Sequence, residues 1–142
     1  MKALYNRFLF KYFPLRLVKR YTSKEARRMY FIREYEIACS QIHKAEFHRK
    51  HKEVIREDIR REYDKAVETR DAAQRRLSVE NEKEDGDKTL KESLLTAVET
   101  KTKEISQFKE QIDQLDAELT GYTEALDSIH SILPLLLEEV AK

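Results

Sequence analysis

The chain has 142 residues, of which 39% are charged and 40% hydrophobic, and it contains only two Gly and two Pro. This length fits one domain, and so few turn residues exclude a compact α/β or all-β domain. The net charge is +1, but residues 1–80 carry 21 Lys+Arg against 12 Asp+Glu, giving +9, and residues 81–142 carry 7 against 15, giving −8. We therefore expect an all-α chain of long helices, whose opposite charges favour pairing of the two halves.

Residues 1–23 form a basic, aromatic extension without an acidic residue. An acid-free, Arg-bearing, amphipathic start of this kind is typical of a mitochondrial targeting segment, with a cleavage point near Tyr21. Two alternatives stay open, namely an extension that threads into a large assembly and a contact with an anionic membrane surface. The residues assigned to targeting or anchoring are Arg7, Phe8, Lys11, Phe13, Arg16 and Arg20.

The sequence Ala-Leu-Tyr-Asn-Arg at positions 3–7, followed by Phe13 and by Ile32-Arg33, is similar to the opening of the mitochondrial LYR-motif proteins. These are small helical factors that bind acyl carrier protein, and the resemblance implies a role in assembling respiratory complexes or iron–sulfur clusters. The match departs from the family pattern because Asn6 separates the tyrosine from the arginine. The long two-helix remainder also differs from that family, so we leave the family unassigned.

Residues 24–80 contain no Gly or Pro and predict a first helix that Ser23 can cap. We call the positions that would face a neighbouring helix the seam. On this helix they are separated by alternating steps of three and four residues, which is the spacing of a coiled coil. Three consecutive positions in the middle of this seam are cationic. The predicted seam positions are Phe31, Tyr35, Ala38, Ile42, Ala45, Arg49, Lys52, Arg56, Ile59, Tyr63, Ala66, Arg70, Ala73 and Leu77.

Residues 81–88 predict a turn around Gly86, and residues 89–142 predict a second helix that starts at Asp87 or Thr89. Pro134 lacks an amide hydrogen, so we expect it to begin a short terminal helix. The second seam has the same spacing as the first and is more apolar. The residues on it that we assign to partner binding are Ile105, Phe108, Ile112, Leu115, Leu119, Tyr122, Leu126, Ile129 and Leu133.

The two predicted helices have similar lengths, near 80 Å at about 1.5 Å per residue. We therefore predict an elongated antiparallel two-helix coiled-coil hairpin with a basic aromatic N-terminal extension. Folding the chain about residue 84 places Lys52 opposite Asp116, with Arg49 and Arg56 opposite Leu119 and Ile112. Because cations face an apolar stretch, we expect Ile112, Leu115 and Leu119 to stay partly uncovered and to need an additional helix. That helix comes from another protein or from a second copy.

The candidate chemistry is sparse. His43, His48 and His51 lie within nine residues, but a metal site would need further ligands in fixed geometry, so we expect solvated side chains, no metal and no cofactor. Acidic residues interrupt the basic run at 49–61, which disfavours nucleic-acid binding. The single cysteine excludes an internal disulfide. No apolar run approaches the roughly 20 residues of a membrane span, and no nucleophile motif or phosphate loop points to an enzyme.

These observations favour a non-enzymatic coiled-coil structural or assembly subunit of a multiprotein complex in mitochondria. One alternative is a cytosolic or nuclear coiled-coil adaptor that tethers partner proteins. Another is an RNA-contacting subunit of a ribonucleoprotein particle, in which the basic first half of the chain touches RNA.

The targeting hypothesis predicts that residues 1–24 fused to a fluorescent protein will concentrate in mitochondria of living cells. The electric potential, which is negative in the matrix, attracts the positive charges of this segment. The matched control replaces Arg7, Arg16 and Arg20 with Gln and should stay diffuse. A diffuse signal from the unaltered fusion would contradict a mitochondrial targeting role.

Overall fold

The structure, a computed structural model, describes residues 23–142. Two long α-helices account for nearly all of this part: α1 spans Lys24–Glu82 and α2 spans Lys88–Ala141. The two helices pack against each other, and no strand occurs between residues 23 and 142. The predicted all-α helical hairpin is therefore confirmed. The residues assigned to targeting or anchoring lie outside the described residues.

Both helices begin at a side chain that caps their first turn. The backbone N–H of Ala26 donates to the Ser23 hydroxyl at 3.2 Å. The N–H groups of Thr89 and Leu90 donate to the Asp87 carboxylate at 2.9 and 3.4 Å. These contacts satisfy amide groups that have no partner within the helix, and a carboxylate also suits the positive end of the helix dipole. Of the two predicted starts for the second helix, the structure selects Asp87.

The connection between the helices comprises residues 83–87 and requires glycine at one position. A Cβ atom built on Gly86 would lie 2.7 Å from the backbone oxygen of Glu80 and 2.7 Å from the side chain of Lys91. The lysine side chain can move away, but the carbonyl belongs to the last turns of α1 and cannot. Glycine therefore allows the chain to pass close to the end of α1 as it turns.

The seams predicted from the sequence are the faces along which the helices lose solvent contact. Every predicted position on α1, from Phe31 to Leu77, is buried or half-buried. The same holds for every heptad position on α2 from Leu94 to Val140, including the polar position Lys101. The spacing of three and four residues thus identified the inward face of both helices correctly.

Contacts divide the chain into two compact units. In the unit formed by the chain up to His48 and Tyr122–Lys142, a core cluster contains Tyr30, Phe31, Ala38 and Leu136. Tyr35, Ile129, Leu133 and Val140 pack against this cluster. In the unit Arg49–Gly121, the buried apolar residues are Ala66, Leu94, Ile105 and Leu115.

The structure corrects the prediction at Pro134, because α2 continues through this residue to Ala141 and no separate terminal helix forms. An interior proline removes one helical hydrogen bond and costs about 3 kcal/mol. Leu136, which is 4% exposed, and half-buried Val140 lie beyond the proline on the inward face. Burying two such side chains stabilises the continuous helix by about 1.5 to 3 kcal/mol each. Because Pro134 has no N–H, the carbonyl of His130 has no helical partner. Both residues are exposed, so this carbonyl lies on the side of α2 that faces water.

The burial pattern predicts very different costs for two phenylalanines on α1. Phe31 is fully buried, whereas Phe47 is 70% exposed. We expect Phe31→Ala to lower the free energy of unfolding by about 3 to 5 kcal/mol because it leaves a cavity in the core cluster. Phe47→Ala is the matched control and should change it by about 0.5 kcal/mol or less. Urea titration followed by circular dichroism measures both values, and equal losses would contradict this assignment of the core.

Candidate functional site

The nine residues predicted to bind a partner all lie on the face where α2 packs within the hairpin. Ile105, Leu115 and Leu126 are buried, with 3 to 8% of their surface exposed. The remaining residues of this set are half-buried: Phe108, Ile112, Leu119, Tyr122, Ile129 and Leu133. These residues therefore form the contact with α1, and binding of a further helix through the half-buried ones stays a prediction.

Three cationic side chains occupy consecutive seam positions of α1, and we call Arg49, Lys52 and Arg56 the cationic layer. Their side chains are only 30 to 33% exposed. Lys52 pairs with Glu118 of α2 at 2.9 Å, and Arg56 pairs with Asp116 of α2. Arg49 pairs with Glu53 one turn further along α1, at 3.7 Å. Each charge therefore reaches a carboxylate near the edge of the seam.

The structure gives a divided outcome for the three residues expected to stay partly uncovered, which lie near the cationic layer. Ile112 and Leu119 are half-buried and so keep part of their surface uncovered, as expected. Leu115 differs from the expectation, because only 8% of its surface is exposed. Arginine and lysine carry long aliphatic stems that can cover apolar surface while their charged ends stay near water. The ion pairs of Lys52 with Glu118 and of Arg56 with Asp116 place these two side chains beside the stretch of α2 that follows Leu115.

The pairs across the seam also refine the predicted register. Folding about residue 84 placed Lys52 opposite Asp116, whereas the structure pairs Lys52 with Glu118 and Arg56 with Asp116. The His48 and Tyr122 rings stack with centroids 6.3 Å apart. Positions 52 and 118 are centred on residue 85, and positions 56 and 116 are centred on residue 86. This centre lies within the connection at residues 83–87, which follows the end of α1 at Glu82. The later end of α1 explains this small difference from the prediction.

The histidines do not converge. His43, His48 and His51 are all exposed, and His48 lies between Phe47, at a centroid distance of 5.8 Å, and Tyr122. Among residues 23–142, no group of three or more His, Cys, Asp or Glu side chains is placed to hold a metal ion. The His48 ring thus packs against aromatic side chains of both helices.

Cys39 is a half-buried free thiol on α1. A side-chain hydrogen bond with Cys39 raises the pKa of Tyr35 above its ordinary value of 10.0, and the charge of the sulfur and partial burial act in the same direction. The Tyr35 phenol therefore stays protonated at neutral pH. Of the two residues, Tyr35 packs against the core cluster.

An open depression of about 250 Å³ lies near the turn and is lined by Arg75, Arg76, Val79, Glu80 and Leu90. Its one carboxylate, Glu80, pairs with Lys83 at 2.9 Å. The Arg75 side chain donates to the backbone oxygen of Asp71 at 3.3 Å. These two polar side chains are thus engaged with their own helix or with the turn.

The sequence analysis missed apolar side chains that remain exposed. The exposed fractions are 42% for Ile132, 60% for Leu135 and 65% for Met29, all in the unit that contains the core cluster. A signal for the first two was present in the sequence, because Ala125, Ser128, Ile132 and Leu135 repeat the heptad spacing one residue before the seam. We call these four residues the second stripe.

Neither described helix has a segment apolar enough, over enough residues, to cross a lipid bilayer. In comparisons with protein-family models, curated proteins and solved structures, nothing matched this chain.

The cationic layer predicts a gain in stability when it is replaced by apolar residues. Replacing Arg49, Lys52 and Arg56 together with Leu should raise the free energy of unfolding by about 1 to 3 kcal/mol, because apolar seam residues need no desolvation of charge. Asp116 and Glu118 are about half exposed and stay hydrated without their partners. The variant should also lose specificity and form larger species, since a polar seam position specifies register and oligomeric state. Thermal unfolding and light scattering measure the two effects.

The matched control replaces Lys50, Arg60 and Arg61 with Leu, at exposed positions of α1 that carry the same residue types. It removes the same charge without adding apolar residues to the seam, so its stability should not rise. A seam variant no more stable than this control would show that the cationic layer does not limit the stability of the hairpin.

Proposed function

We propose that this protein is a non-enzymatic coiled-coil subunit that supports the structure or assembly of a multiprotein complex in mitochondria. The observation that carries the proposal is the contrast between a seam closed by the chain itself and apolar residues left exposed beside it. Ile132 and Leu135 face solvent on the same helix whose seam residue Leu126 is 3% exposed. A hairpin that is complete along its seam and still presents apolar side chains is suited to binding another protein.

The distribution of charged residues also supports a binding role. One face of each helix forms the seam, and much of the remaining surface is charged and exposed. The pair Lys65–Glu62 lies within α1 and the pair Lys101–Glu104 lies within α2. Each pair stabilises its own helix by about 0.2 to 0.5 kcal/mol. These charged residues stabilise the helices themselves. We therefore look for the partner-binding surface among the exposed apolar residues.

The mitochondrial part of the proposal depends on the N-terminal composition. Residues 1–22 carry Lys2, Arg7, Lys11, Arg16, Lys19 and Arg20 and no acidic residue. This composition supports import, but these residues lie outside the described part. A cytosolic or nuclear adaptor would use the same hairpin without import. RNA contact is less well supported, because Lys52 and Arg56 pair with carboxylates of α2 and are not free to bind phosphate.

The proposal is tested with the full-length protein, tagged at its C-terminus and isolated from cells under native conditions. We expect it in the mitochondrial fraction, at a native mass well above the 17.0 kDa of one chain, with companion proteins at fixed stoichiometry. Cells that express the tag alone provide the control. A particle of 17.0 kDa, or a whole multiple of it without other proteins, would contradict a role in a multiprotein complex.

A further inference from the structure

The second stripe lies beside the seam on α2. Ala125, Ser128, Ile132 and Leu135 each precede a seam residue by one position, and all four are exposed. Successive residues of a helix are separated by about 100°, so the stripe faces a direction adjacent to α1 rather than opposite to it. A helix with two adjacent heptad stripes can contact two neighbouring helices. In this hairpin α1 occupies only one of them.

The composition of the second stripe suits a helix–helix contact. Ala125 and Ser128 are small and allow close approach, whereas Ile132 and Leu135 supply apolar surface, with exposed fractions of 42 and 60%. Leu137, although 50% exposed, lies two positions beyond Leu135 and therefore faces a different direction. The candidate surface is restricted to the four residues of the stripe.

Charge determines which kind of helix fits this surface. Residues 122–142 carry four acidic residues and one lysine. Of these, Glu124, Asp127 and Glu138 are exposed, and α2 has no basic residue in its last turn to offset the negative end of its dipole. A second copy bound through the same stripe would bring like charges together. A helix with Lys or Arg beside its apolar residues would bring opposite charges together.

We propose that the second stripe is the docking surface for an amphipathic helix of another protein, with apolar residues at heptad spacing and Lys or Arg along the flank next to α2. This inference rests on the proposed function and names the chemistry of the partner. The apolar residues of the partner helix cover Ile132 and Leu135. Its cations face Glu124 and Glu138, which lie four residues before Ser128 and three residues after Leu135 on α2.

Site-specific photo-crosslinking of the full-length protein in cells tests this inference. Benzoylphenylalanine replaces Leu135 in one variant and Leu95, a 49% exposed leucine elsewhere on α2, in the control. Mass spectrometry then identifies the crosslinked peptide. We expect the Leu135 position to crosslink to a peptide of another protein with heptad-spaced apolar residues and an excess of Lys and Arg, and the Leu95 position not to crosslink to it.

Three results would overturn the inference: a crosslink to a second copy, a crosslink to residues 1–22 of the same chain, or a crosslinked peptide that is acidic or lacks the heptad pattern. Absence of any crosslink in a preparation that retains its companion proteins would also overturn it, while leaving the proposed function intact. A preparation without companions would instead contradict the proposed function.

A second variant measures the contribution of the stripe. Ile132→Ser combined with Leu135→Ser should reduce the amount of bound companion about tenfold or more, because two apolar contacts are lost. Leu95→Ser is the control and should retain it. Circular dichroism should show unchanged helix content in both variants, and full retention of the companion by the double variant would overturn the inference.

Discussion

Burial of apolar side chains between α1 and α2 is the interaction on which the rest of the structure depends. Isolated helices are marginal in water, because their own hydrogen bonds barely offset the loss of backbone entropy. Packing of residues such as Phe31, Ala38 and Leu136 against one another supplies the missing stabilisation. The turn and the capping residues determine where each helix begins. Packing along the seam provides the free energy that keeps both helices folded.

At the cationic layer, charged side chains replace apolar ones within that seam. Arg49, Lys52 and Arg56 occupy positions where apolar residues would bury more surface, yet their charges reach carboxylates at the edge and nearby Leu115 is buried. Half-exposed ion pairs contribute only about 0.2 to 1 kcal/mol each. Polar residues at seam positions also favour one register of the two helices, and here Lys52 and Arg56 pair with carboxylates of α2 in the observed register.

The hairpin presents apolar side chains beside its seam as well as within it. The residues first assigned to partner binding, from Ile105 to Leu133, are buried or half-buried on the face that packs within the hairpin, and their binding to a partner stays a prediction. Among the exposed apolar side chains, Ile132 and Leu135 lie directly beside the seam. The proposed assembly role therefore depends on a stripe that is separate from the one that folds the chain, and binding need not open the hairpin.

The sequence by itself determined the helical class, the inward face of both helices and the position of the turn, because heptad spacing and the shortage of Gly and Pro are local properties of the chain. It also placed the centre of pairing close to its place in the structure, at residue 84 rather than residues 85–86. Only the tertiary structure decided that α2 continues through Pro134 and that Leu115 is covered. Both outcomes depend on neighbours: Leu136 and Val140 gain burial that outweighs the lost hydrogen bond, and the burial of Leu115 depends on how the two helices pack, which residue type and spacing do not give.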